Sequence, residues 1–151
     1  LEFAADPGSG AEDLFGLYLA ASQARGLDRE LRRLIASNPG IAIEDHFRLI
    51  AYDHPEELAG NPAFQAAIAR DPEIIQYWEG ELTGALLQHC PPSVAAVVVA
   101  HAEAITFSLL RENAFSEEHF RAMLPAALPA WRDELLQNPH LPQDLRDQPA
   151  A

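Results

Sequence analysis

Six histidines stand among twenty-three carboxylates in this chain, and imidazole and carboxylate are the side chains that most readily bind metals and move protons. Glu44-Asp45-His46-Phe47 and Glu117-Glu118-His119-Phe120 repeat one pattern, and Asp53-His54 followed by Glu57 forms a third acid–imidazole group. His46, Asp53 and His54 would offer two nitrogens and a carboxylate, a donor set that suits zinc. The competing reading of each cluster is a solvated helix start, where acids meet the positive end of the helix dipole. His101 and Glu103 are two residues apart and cannot share a helix face. Cys90 follows His89, but adjacent residues rarely align as nucleophile and base, and Pro91-Pro92 stiffens the site. His-Glu-x-x-His, a Gly-rich phosphate loop and a Gly-x-Ser-x-Gly elbow are all missing from the sequence. No catalytic residue, cofactor or metal is assigned on these grounds, and a metal-binding or hydrolytic domain is kept as the alternative.

Large aromatic side chains offer a different chemistry, that of partner binding. Tyr77, Trp78 and Trp131 sit where the local pattern does not dictate their placement, and such rings anchor interfaces when they are exposed. In a helical domain Trp more often serves the core.

Composition narrows the partner. The formal charge is −13, and all ten basic residues are Arg. A chain so acidic repels phosphate backbones, whose binding depends on basic contacts that release counterions, so nucleic acid and anionic membrane surfaces are disfavoured. The absence of Lys is read most simply as a coding bias towards GC-rich codons, a bacterial-like composition. A single cysteine, Cys90, excludes an internal disulfide and a multi-cysteine metal cluster, and its mostly proline and apolar neighbours suggest a buried, inert thiol. The longest apolar run, residues 94–100, is too short to span a bilayer, and no signal peptide is recognisable. A cytoplasmic, intracellular location is expected.

The positioning elements follow from a cadence. Asn38-Pro39, Asn61-Pro62, His89-Cys90-Pro91, Asn113-Ala114 and Asn138-Pro139 open cassettes that begin 23, 28, 24 and 25 residues after one another. A residue before proline is pushed out of helical geometry, which is the backbone an N-cap needs, and Pro fits the first helical position. Each Asn-Pro thus stops one helix and opens the next. Repetition at this period marks stacked units. Between cassettes, apolar residues recur at helical spacing: Leu14, Leu17, Tyr18 and Ala21, then Ile43, Phe47, Ile50 and Ala51. A long helix is expected from Ile74 to Gln88 and another over 93–112, with Phe120, Met123, Leu124 and Leu128 inward on a helix capped by Ser116. Asp53-His54-Pro55 and Asp71-Pro72 should break helices.

The strings Leu34-Ile35-Ala36-Ser37-Asn38-Pro39, Leu58-Ala59-Gly60-Asn61-Pro62 and Leu135-Leu136-Gln137-Asn138-Pro139-His140-Leu141-Pro142 resemble the leucine-rich repeat variant family, over roughly residues 31–146. The units at His89 and Asn113 are degenerate. The resemblance implies an all-α fold, a short right-handed α-solenoid of α and 3₁₀ helices related to HEAT repeats; an irregular helical bundle is the alternative. The family's founding type carries a cysteine-ligated iron–sulfur cluster, which a chain with Cys90 alone cannot ligate. Residues 1–11 are read as a flexible lead-in or cloning remnant, 12–146 as one helical repeat domain and 147–151 as a frayed tail. The expected function is a non-catalytic protein–protein interaction module. It would present an acidic helical surface to a basic or amphipathic segment of another protein, and a homodimer through an end unit is compatible with it.

Overall fold

The computed structural model describes residues 5, 6, 8, 10, 14–18, 20, 28–38 and 47–147. These are helices and connecting turns, with no strand among the described residues. Residues 14–18 are helical. Then come α1 (Asp28–Ser37), α2 (Phe47–Asp53), α3 (Pro55–Ala59), α4 (Pro62–Arg70), α5 (Glu73–Gln76) and α6 (Gly80–His89). They are followed by α7 (Pro92–His101), α8 (Phe107–Glu112), α9 (Glu117–Ala126), α10 (Pro129–Leu136) and α11 (Gln143–Arg146). The first cassette beyond Asn38, His46, and most of the lead-in and tail lie outside the described residues.

Twelve prolines in an all-helical chain are accommodated because proline starts helices here. Pro55, Pro62, Pro92 and Pro129 each open one, at the position where a missing N–H costs nothing. Pro125 is an exception, inside the last turn of α9. Asn61 behaves as its sequence implies: an extended residue whose side chain accepts from the N–H of Ala63, with Pro62 first in α4. Ser116 caps α9 through the N–H of His119, and Glu117 and Glu118 occupy the first turn. Asn138 accepts from the N–H of His140, but it opens a turn, and α11 begins only at Gln143.

One apolar cluster runs from Leu14 to Leu145. α3 packs on α1 and α6, while α7 packs on α4 and, most extensively, on α9; α8 pairs with α10. Phe64 sits at the centre of an aromatic stack, edge-on to Phe47 at 5.1 Å between ring centroids and nearly parallel to Trp78 at 6.0 Å.

Three expectations fail here. The helix over 93–112 is broken: α7 ends at His101 and α8 starts at Phe107. The helix from Ile74 is likewise cut by extended backbone at Glu79. Both breaks have one cause, because the two loops bond to each other. Glu103 donates its N–H to Gln76 O at 2.9 Å, Thr106 its N–H and hydroxyl to Gly80 O, and Thr83 Oγ1 donates to Ala104 O at 2.6 Å. Gly80 permits the approach, since a Cβ there would lie 3.3 Å from backbone atoms of Ile105 and Thr106. Periodicity along one segment carries no trace of such long-range bonds. The third failure is Leu128, expected inward and found 38% exposed. Its extended backbone caps α10 and its N–H donates to Val99 O, which fixes the main chain and leaves the side chain at the surface.

Candidate partner-docking grooves

Side chains at two cassette positions bond back to main-chain carbonyls 23 to 28 residues earlier. Asn61 Nδ2 donates to Ala36 O at 2.7 Å and to Asn38 O at 3.0 Å, one cassette back. Asn138 repeats the pattern, with Nδ2 donating to Leu110 O and Asn113 O, both at 2.9 Å. Where His89-Cys90 replaces Asn-Pro, His119 Nε2 lies 2.8 Å from Cys90 O and takes over the link. Trp131 Nε1 donates to Ala102 O at 2.8 Å.

Arginine supplies the second set of ties. Arg32 pairs with Asp53 at 3.1 Å and Arg121 with Asp144 at 3.0 Å, while Arg111 pairs with Glu134 and Arg48 with Glu79. Arg132 caps Leu124 O at the end of α9, and Arg146 caps Leu136 O at the end of α10. These six cations thus serve internal contacts, and the planar guanidinium fork suits both tasks better than an ammonium.

Two grooves open beside the junction of the broken helices. The first, about 540 Å³, lies between α5 and the end of α7. Asp71, Glu73 and Glu103 line it together with Gln76, His101, Pro72, Ala100 and Leu128. Asp71 Oδ1 accepts the N–H of Glu73 at 3.2 Å, and Gln76 Nε2 donates to Glu103 Oε1 at 2.9 Å, so two of the carboxylates are held in place. Next in the chain, Tyr77 is 73% exposed, the most open large apolar side chain among the described residues. The second groove, about 490 Å³, lies between α6 and α8, with Glu81 and Glu112 among its lining residues.

The residues singled out from sequence separate clearly. Tyr77 is at the surface, but Trp78 and Trp131 are each only 6% exposed and belong to the core. Their rings find more contact inside, Trp78 on Phe64 and Trp131 with its N–H satisfied by Ala102, so neither presents a face to a partner. Of the weak metal set, His46 lies outside the described residues. Asp53 accepts from Tyr18 and Arg32 at 3.2 and 3.1 Å. His54 is buried edge-on to the Tyr18 ring, with Nδ1 3.8 Å from Glu57. Burial, and then the Asp53 charge, push the Tyr18 hydroxyl well above its ordinary range. No three His, Cys, Asp or Glu side chains converge on a point among the described residues. His119 is drawn into the Ser116 cap and the Cys90 carbonyl, which accounts for its place in the acid–imidazole pattern.

Cys90 is buried, and burial pushes its thiol pKa up to about 12. An aromatic disulfide reagent at pH 8 should therefore modify it slowly in the native protein and rapidly in denaturant. Equal rates in the two states would contradict the buried thiol. The linkage has a sign: a raised folded-state pKa means stability is intact below the unfolded value of 9.0 and declines as pH climbs towards 12.

Glu103, Gln76 and Leu128 escaped the sequence reading as groove residues. Each belongs to a segment expected to lie within or inward on a helix, and only long-range hydrogen bonds move it to a groove wall. No family model, curated protein or solved structure matches this chain. No helix among the described residues is long and apolar enough to cross a membrane.

Proposed function

We propose that this chain is a non-catalytic interaction module that holds a basic or amphipathic segment of another protein in the groove between α5 and α7. The observation that carries the reading is the juxtaposition of three carboxylates with an exposed apolar side chain, Leu128. Asp71, Glu73 and Glu103 line the groove, Leu128 shares it, and no Arg is among the lining residues. Carboxylates attract and orient a cationic segment, while the apolar groups bury its stem. The reading treats the chain as a short α-solenoid of the kind the leucine-rich repeat variant resemblance implies. In its favour, the buried amides of Asn61 and Asn138 each reach one cassette back.

Titration calorimetry with a synthetic Arg-rich amphipathic peptide tests the proposal. Removing all three charges in the Asp71→Asn/Glu73→Gln/Glu103→Gln variant should weaken binding about tenfold, on the scale of a few exposed charge pairs, and the loss should shrink at high salt. Each replacement keeps an oxygen acceptor, so the Asp71 and Glu103 hydrogen bonds survive and the fold is unaffected. Peptide affinity unchanged by the triple substitution would overturn the groove assignment. Stoichiometric metal in the purified protein would favour the metal-binding alternative.

A further inference from the structure

Asn113 holds the same place in the cadence as Asn61 and Asn138, yet its side chain does something different. Asn61 and Asn138 are buried, and each spends its amide on carbonyls of the preceding unit. Asn113 is half-buried and makes no such side-chain bond among the described residues; only its main-chain carbonyl joins the series, as acceptor for Asn138. The backward link it would provide is supplied instead by His119 on the Cys90 carbonyl. The Asn113 amide is thus released to the groove between α6 and α8, where Gln88 brings a second one.

That groove lies between α6, which follows Trp78, and α8, which follows the loop at 103–106. At Gly84 the two walls are close, for a Cβ there would touch Leu109 Cδ2 and Thr106 Oγ1 at 3.4 Å. Glu81 and Glu112 are exposed on the two walls, neither is ion-paired among the described residues, and no Arg lines the space.

We infer that the α6–α8 groove binds an extended peptide segment carrying a basic side chain, with Asn113 and Gln88 pairing to its main chain and Glu81 and Glu112 taking its charge. A carboxamide presents a donor and an acceptor together, which matches the N–H and C=O of one residue in an extended chain. A helical ligand has already used those groups internally and gains nothing from the amides. The two carboxylates select a cation by charge, and Arg can engage one of them bidentately. The inference rests on the interaction-module reading and adds to it the conformation of the partner and a second point of attachment.

The test uses the full chain and a capped hexapeptide alternating Arg and Val, which favours extended backbone, followed by NMR and calorimetry. Binding should shift the side-chain amide resonances of Asn113 and Gln88. Asn113→Ala should weaken binding about fivefold, the worth of roughly one net hydrogen bond, without altering the thermal unfolding midpoint. The same hexapeptide N-methylated at its Val nitrogens should lose about as much on the unaltered protein, and little further on Asn113→Ala. Equal binding of both peptides, or unshifted amide resonances, overturns this inference alone if the α5–α7 triple variant still loses affinity. Failure of the unaltered protein to bind either the hexapeptide or the amphipathic peptide overturns the interaction reading with it.

Discussion

Replacing Trp78 by alanine should lower the unfolding free energy by about 3–5 kcal/mol, the range for truncating a large buried aromatic. The ring is 6% exposed and lies nearly parallel to Phe64, which itself is fully buried and packs edge-on against Phe47. Truncation removes the outer member of that stack and leaves a cavity that short helices tied by long-range hydrogen bonds cannot collapse to fill. Urea unfolding followed by far-UV circular dichroism measures the loss directly, and Trp131 remains as an independent fluorescent probe. The two probes should give one midpoint, shifted to lower urea. A loss below about 1 kcal/mol would mean that Trp78 is a surface residue, since substitutions away from buried features typically fall near that range.

The second large effect concerns Asn138. Asn138→Ala should cost about 2–4 kcal/mol, because buried partners left unmatched each cost about 1–3 kcal/mol. The side chain is fully buried, accepts from His140 N–H at 2.8 Å, and donates to two carbonyls at 2.9 Å. Asn138→Asp separates the two roles. An aspartate caps as well as asparagine, so if capping were the whole contribution the variant would be harmless. Here the carboxylate would face two carbonyl oxygens with no hydrogen to offer, and Asp should be at least as damaging as Ala at neutral pH. Its penalty should ease as pH falls and the carboxyl protonates, since burial and the facing carbonyls both favour the neutral form. The matching substitution at Asn113, whose amide ties no preceding unit, should leave stability nearly unchanged. Thermal melts of the Asn138 and Asn113 alanine variants side by side are enough to distinguish a structural ladder from a surface amide.

That contrast locates the boundary of what a linear reading could reach. Asn-Pro carries its own mechanism: a pre-proline residue is extended, its side chain caps, and proline opens a helix, all within three residues. Asn61-Pro62 and the Ser116 cap follow from that alone. Three Asn at one place in the cadence look alike in sequence, however, and the different use of Asn113 depends on His119 arriving at Cys90 O from a later helix. Tyr77 and Trp78 are adjacent aromatics with similar prospects, yet one is exposed and the other buried. The turn ending α5 points them to opposite environments; it is closed locally by Trp78 N–H on Ile75 O and tied to the loop at 103–106 through Gln76 and Gly80.

The sequence by itself determined the all-helical class, the stops and starts of most helices, and a charge of −13 that governs what the surface can attract. Those properties arise from local sterics, capping and composition, none of which needs a distant partner. The tertiary structure alone decided the breaks between α5 and α6 and between α7 and α8, which aromatic faces outward, and where two carboxylate-lined grooves open. Those outcomes depend on hydrogen bonds and packing between residues well separated in the chain, as between Thr83 and Ala104. No local pattern encodes such contacts.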